Sequence, residues 1–116
     1  MAVEADVREL ALTLPEGNEK PCYGTPGFYV KKKLFARLRE DPTELMVYRE
    51  SVEEKEALIQ TDPEKFFTTP HYDGHAMVLV HLGAVDREEL LDLLEESWLL
   101  RAPKRLAAEL LTEGQR

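Results

Sequence analysis

Three stretches of the chain carry side chains able to do chemistry. Residues 68 to 80 read TTPHYDGHAMVLV, in which His71 and His75 flank Asp73. Two imidazoles around a carboxylate are the raw material of a metal site or of an acid/base pair. Residues 31 to 33 are three successive lysines, followed at alternating positions by Arg37 and Arg39. Nearer the C-terminus, RAPKR supplies Arg101, Lys104 and Arg105. Cations grouped in this way suit phosphate, which lysine holds by charge and arginine also by paired hydrogen bonds.

Local structure accounts for the first stretch without a ligand. Asp73-Gly74 is a favoured two-residue hairpin connection, because a type I′ turn places both central residues at positive φ. In that geometry Tyr72 and His75 close the turn on one face, while His71 pairs with Ala76 on the other. The imidazoles then point apart, whereas a shared metal needs convergent ligands. Cys22 is the single cysteine, so an internal disulfide and a thiolate-rich zinc site are both excluded. No phosphate-binding glycine loop, nucleophile elbow or dinucleotide fingerprint occurs. The sequence therefore predicts no catalytic residue, no cofactor and no metal, and His81 reads as a packed or edge residue.

The lysine triplet sits where two strands should turn. It is either a solvated hairpin tip or a phosphate-contacting wing, reinforced by Arg37, Arg39 and the nearby rings of Tyr23, Phe28 and Tyr29. Arg101 is explained by the negative end of a helix dipole. Lys104 and Arg105 lie past the break at Pro103, where helix termination explains them less well.

The chain carries a net charge of −8, which opposes bulk attraction to nucleic acid or to an anionic membrane. That charge is segregated. Residues 20 to 39 hold six bases and no acid, whereas residues 40 to 64 hold nine acids against Arg49 and Lys55. The acidic positions around residues 50–56 and 88–96 read as solvated helix faces, without a loop of calcium-binding spacing.

The elements that must position these groups are legible from periodicity. Val3, Val7, Leu10, Ala11 and Leu14 recur at helical spacing and are stopped by Pro15 and Gly17. Two short strands flank Gly24, and KKKLFARLRE alternates, with Leu34, Ala36 and Leu38 on the inner face and Phe35, Arg37 and Arg39 on the outer. After a turn at DPT, ELMVYR returns with Leu45 and Val47 opposed to Met46 and Tyr48. Ser51 caps a short helix, with Glu54 placed to complete a capping box and Val52, Leu58 and Ile59 as its stripe. PEKFF reads as one more helical turn, and AMVLVHL as a central strand. A long helix runs from Asp86 to Leu100 with Leu90, Leu91, Leu94 and Trp98 buried, and a short one restarts at Pro103. The order predicts one α+β domain over residues 1–116, an antiparallel sheet with helices packed on one side. The apolar run Ala76 to Val80 is too short to span a bilayer, and an acidic N-terminus replaces the apolar core of a signal peptide, so a cytoplasmic location is expected.

The segments YGTPGFYVKKKLFARL, DPEKFFTTPHYDGHAMVLVHL and ESWLLRAPKRL, in this order over nearly the whole chain, resemble the MmcQ/YjbR family. The resemblance implies a CyaY-like, frataxin-related α/β sandwich and a DNA-binding protein with a double-wing motif, and it brings no catalytic residues. On that reading Lys31, Lys32, Lys33, Arg37, Arg39, Lys104 and Arg105 are the groups that meet phosphates, with Tyr23 or Tyr29 as stacking rings. The expectation is a monomeric, non-enzymatic protein with DNA as its partner and no membrane. The alternative is a frataxin-like small-molecule, metal or protein adaptor, with a pocket around Tyr23, His71, Tyr72 and Trp98 and metal at the acidic face.

Overall fold

A computed structural model of the protein describes residues 1–114. Helix α1 (Glu4–Thr13) buries Val7, Leu10 and Ala11. The chain then turns through Glu16 at φ +58 into strand β1 (Gly17–Cys22). Gly17 is obligatory there, since a Cβ would lie 2.6 Å from the Ala11 carbonyl oxygen and 2.9 Å from that of Leu14.

Strands β2 (Thr25–Val30), β3 (Lys33–Leu38) and β4 (Glu44–Tyr48) continue a meander. Helix α2 (Val52–Thr61), strands β5 (Phe66–Phe67) and β6 (Met77–His81), and helices α3 (Arg87–Arg101) and α4 (Lys104–Gly114) follow. The six strands pair antiparallel in the order β1-β2-β3-β4-β6-β5. The fold is therefore the α+β class that the periodicity predicts. Among the described residues, no helix is long and apolar enough to cross a membrane.

One face of the sheet carries the main core. Phe28, Val30, Phe35, Ala36, Leu38, Leu45, Val47, Val78 and Val80 pack there against α1 and α3, with α4 and the apolar side of α2 at the margin. The other face carries a smaller cluster of Met46, Tyr72 and Leu79, with Leu34, Tyr48, Phe67 and Met77 around it. Residues on β4 and β6 alternate between the two as a period of two requires.

β3 departs from simple alternation. Its ladder with β2 shifts between Phe28 and Tyr29, pairing Phe28 with Ala36 but Tyr29 with Leu34, so Phe35 is the extra residue of a β-bulge. The bulge turns Phe35 into the main core beside Ala36 and sends Leu34 to the opposite cluster. The expected inner and outer assignments of Phe35 and Leu34 are thereby exchanged, while Arg37 keeps its outer place.

Where β3 and β4 part beyond the Ala36–Val47 pair, Ser97 of α3 fills the gap. The Tyr48 amide donates to its Oγ at 2.8 Å, and the hydroxyl donates to the Phe35 carbonyl. One turn further on, the Arg101 Nε donates to the Leu34 carbonyl at 2.8 Å, with its guanidinium 4.3 Å above the Tyr48 ring. Backbone groups that the bulge deprives of sheet partners are thus satisfied by a helix.

Two further local expectations change. Phe66 and Phe67 form a short strand and not a helical turn: Phe66 enters the main core, and Phe67 stacks on His81 at 4.1 Å across the sheet. The two rings face opposite ways, as strand geometry demands. At α2, Ser51 accepts from the Glu54 amide at 3.0 Å, but the Glu54 carboxylate does not complete a capping box. It binds the buried Arg49 guanidinium instead, and this ion pair holds its pKa below the ordinary glutamate value.

Candidate functional site

β2 has a tip at each end. Before it, β1 turns at Tyr23-Gly24, with φ +51 and +84 between the Cys22–Thr25 pair. This is the positive-φ pair that a two-residue hairpin needs. After it, β2 turns into β3 at Lys31-Lys32, between the Val30–Lys33 pair, with Lys31 at φ +54. Strand rise separates the two tips by roughly 20 Å. The basic residues that the sequence places along one wing are divided between them.

At the lysine end, Lys31, Lys32 and Lys33 are all exposed, and none has an ion-pair partner among the described residues. Arg101 anchors the end of α3 to the start of β3, so the chain carrying Lys104 and Arg105 departs from this same end of the sheet. Both are exposed in the first turn of α4. Arg101 itself is occupied by Leu34 and Tyr48, a structural duty beyond its meeting a helix dipole.

At the other end, Arg37 of β3 and Arg39 just past its end project on the side away from the main core. With Tyr23, Glu40, His71 and Tyr72 they line a cavity of about 430 Å³. Arg37 donates through Nε to the Thr25 hydroxyl at 2.9 Å and the Cys22 carbonyl at 3.2 Å, and its Nη2 lies 3.5 Å from Glu40. Arg39 donates through Nη1 to Glu44 at 2.8 Å. Each guanidinium also lies over a phenol ring, Arg37 5.7 Å from Tyr23 and Arg39 5.9 Å from Tyr72. These are cation–π distances.

The third wall is the segment that raised the question of a metal. Asp73-Gly74 is not a type I′ hairpin, for only Gly74 has positive φ. The Thr69 carbonyl accepts from the amides of Tyr72 at 2.8 Å and Asp73 at 2.9 Å, a helical kind of turn, and the next strand starts only at Met77. His71 consequently has no strand partner at Ala76, whose carbonyl accepts from the Arg49 amide at 2.8 Å. His71 instead stands edge-on to Tyr72, with ring centroids 4.8 Å apart. His75 is exposed and does not line the cavity. Among the described residues, no group of three or more His, Cys, Asp or Glu side chains is placed to hold a metal ion.

What shapes this turn is Lys55 of α2, only 2% exposed. Its Nζ donates to the Tyr72 carbonyl at 2.5 Å and the His75 carbonyl at 3.0 Å. Burial lowers its pKa, against the opposing pull of Asp73 and Glu56. Lys55 falls three residues after Val52 and three before Leu58, on the apolar stripe of its own helix. That placement was the available signal for a buried lysine.

Trp98 does not line the pocket. It is fully buried in the main core on the other side of the sheet, where its Nε1 donates to the Pro15 carbonyl at 3.0 Å. Tyr29, the other candidate stacking ring, is half-buried beside Lys20, with 5.3 Å from the ammonium to the ring.

These features define a six-stranded antiparallel α+β domain with a cationic tip at one end of a hairpin and an arginine–aromatic pocket at the other. The YjbR family model matches residues 12–100, and the chain belongs to this family. It is 29% identical, with a TM-score of 0.70, to the crystal structure of Deinococcus radiodurans protein DR2400, which carries the DUF419 domain. That match covers 86% of this chain and 78% of the other. It is also 46% identical over 60 residues to the uncharacterized proteins Rv2570 of Mycobacterium tuberculosis and Mb2600 of Mycobacterium bovis. Those matches take in 52% of this chain and span 46% of the length of each relative.

Proposed function

We propose that this protein is a non-enzymatic DNA-binding domain that grips phosphates with the tip of its β2–β3 hairpin. The observation that carries the reading is Lys31, an exposed lysine held at φ +54 and followed directly by two more exposed lysines, Lys32 and Lys33. A non-glycine residue in this region costs on the order of 1 kcal/mol, and the exposed Lys31 side chain returns none of it through burial. Strain kept at an exposed cation points to a use for that cation.

Charge segregation supports the same reading. The lysine tip has no carboxylate partner among the described residues, whereas much of the acidic charge is clasped elsewhere. Arg49 holds Glu54 and Glu96, Lys65 holds Asp62 and Glu89, and Arg87 holds Asp6 and Glu9. Lys104 and Arg105 extend the same basic end. The double-wing motif that the family resemblance implies would make the paired hairpins the working surface.

The test is fluorescence anisotropy of labelled single- and double-stranded oligonucleotides over a range of salt. Each phosphate neutralised contributes about −0.9 to the slope of log K against log salt on duplex and about −0.7 on single strands. The triple variant Lys31→Asn, Lys32→Gln, Lys33→Gln should flatten that slope by about 2 to 3. Asparagine is chosen at the first position because it tolerates the left-handed conformation. An unchanged slope would remove the lysine tip from the function.

A further inference from the structure

The pocket at the Tyr23 end has no part in the lysine reading, and its residues suit a different chemistry. Arg37 in β3 and Arg39, just past its end with its amide still donating to the Glu44 carbonyl, are two residues apart on extended chain and so share a face, with Cα atoms roughly 7 Å apart. Two guanidiniums at that spacing can converge on a single phosphate. The protein leaves them donors for it. Arg37 spends Nε on Thr25 and Cys22 and one Nη2 contact on Glu40, and Arg39 spends Nη1 on Glu44. Nη1 of Arg37, and Nε and Nη2 of Arg39, have no protein acceptor among the described residues.

The two phenols differ in a telling way. Tyr72 is 5% exposed and belongs to the cluster with Met46 and Leu79. Tyr23 is 93% exposed and sits at φ +51, where glycine or asparagine is the comfortable choice. A ring presented to water at a conformational cost on the order of 1 kcal/mol adds nothing to the core. It does offer a free π-face at the mouth of a cavity already lined by two arginines.

We infer that this pocket binds a nucleoside monophosphate unit, with the phosphate on Arg37 and Arg39 and the base stacked on Tyr23. The cavity of about 430 Å³ lies within the usual range for small-molecule sites, roughly 300–1,000 Å³. Glu40 is the competitor at the site: its side chain is 74% exposed and touches Arg37 at 3.5 Å, so the incoming phosphate displaces it. The unit has two sources, a free mononucleotide or the 5′-phosphorylated end of a strand. The inference rests on pocket residues and not on the lysine tip, so the two readings fail separately.

The experiment is an NMR titration of the ¹⁵N-labelled full chain with AMP, adenosine, inorganic phosphate, and a short oligonucleotide with and without a 5′-phosphate. Backbone amides and arginine Nε–H groups are the readout, because Trp98 lies on the other side of the sheet. AMP should move the signals of Tyr23, Gly24, Arg37, Arg39 and His71 saturably, with adenosine and phosphate alone each much weaker. Tyr23→Asn, which suits the turn, should weaken AMP roughly 5- to 100-fold, the worth of one stacked ring, and leave phosphate unchanged. Glu40→Gln should tighten AMP. Read at the pocket signals, tighter binding of the oligonucleotide with the 5′-phosphate than of the one without it assigns the strand end, and equal response to the two with AMP still saturating assigns the free nucleotide. The inference falls if AMP at millimolar concentration leaves the pocket signals still, moves only those of residues 31 to 33, or binds Tyr23→Asn as well as the wild type.

Discussion

The two tips of the β2 strand are built alike and equipped differently. Each is a two-residue connection containing a non-glycine residue at positive φ, Tyr23 at one end and Lys31 at the other. At the lysine end Lys31, Lys32 and Lys33 are exposed, without ion-pair partners among the described residues. At the tyrosine end the cations are half-buried, oriented by the Thr25 hydroxyl, Glu40 and Glu44, and faced by rings. Free ammonium groups attract any polyanion within a Debye length and lose that attraction as salt rises. Oriented guanidiniums between aromatic walls select by shape. On the proposed readings the two ends of β2, roughly 20 Å apart, are a non-specific grip and a selective pocket, and each should be removable without the other.

Lys55 provides the largest lever on this difference, because it supports the pocket alone. Lys55→Met leaves the Tyr72 and His75 carbonyls without their buried donor, and we expect a loss of about 2–3 kcal/mol in stability. Urea denaturation measures it. The pocket signals in an NMR spectrum should broaden or shift at the same time, while the salt slope of any nucleic-acid binding stays as in the wild type. If both ends change together, the two are one cooperative surface and the contrast is lost.

A smaller effect comes from the ion pairs of Arg49, which follows directly on β4. Glu54 has its pKa lowered, first by the hydrogen bond from Arg49 and then by the charge of the same group. A carboxyl whose pKa is lower folded than unfolded contributes stability above its unfolded value, and that contribution is lost as pH falls through the folded value. Glu54→Gln should therefore cost about 1 kcal/mol near neutrality, discounted because Glu54 is a third exposed. The gap from wild type should close as the pH drops below about 4.5. Thermal melts of both proteins between pH 7 and pH 3 test the sign. Lysine-tip binding should not follow this titration, since among the described residues no carboxylate holds Lys31 to Lys33.

The smallest expected effect bears most directly on the shared architecture of the tips. Tyr23→Asn and Lys31→Asn each replace a strained residue by one that accepts positive φ, and each should stabilise the protein by about 0.5 kcal/mol. Differential scanning calorimetry would read this as two small, additive rises in Tm. If either substitution destabilises, its side chain serves the fold, and the strain no longer points to a binding role at that tip.

Much of the architecture was legible in the residues. Helical spacing in residues 3–14 and 86–100, alternation in β4 and the apolar run of β6 all report burial on one or both faces, and burial follows directly from local periodicity. The sites were legible in part. Lys31 to Lys33 fall at a hairpin tip as their position before an alternating strand implied. Tyr23, His71 and Tyr72 do share a pocket, but Trp98 lies across the sheet from them, and Arg37 and Arg39 join them rather than the lysines. Side-chain distance over a strand depends on its length and direction, and proximity in sequence between Lys33 and Arg37 conceals a separation of roughly 13 Å along β3.

The amino-acid sequence by itself determined the class of the fold, the order of its main elements apart from β5, and the location of the lysine tip. These depend on periodicity, turn chemistry and composition, which are local. The tertiary structure alone decided the bulge that turns Phe35 inward, the service of Ser97 and Arg101 as substitutes for sheet partners, and the non-hairpin turn at Asp73-Gly74. Each of these follows from a backbone polar group that had to find a partner from a distant element. Lys55 reaches the carbonyls of Tyr72 and His75 across 17 and 20 residues of chain, and Ser97 reaches Phe35 across 62. No local pattern encodes a hydrogen bond at that range, because its cost is set by burial that exists only once the chain has folded.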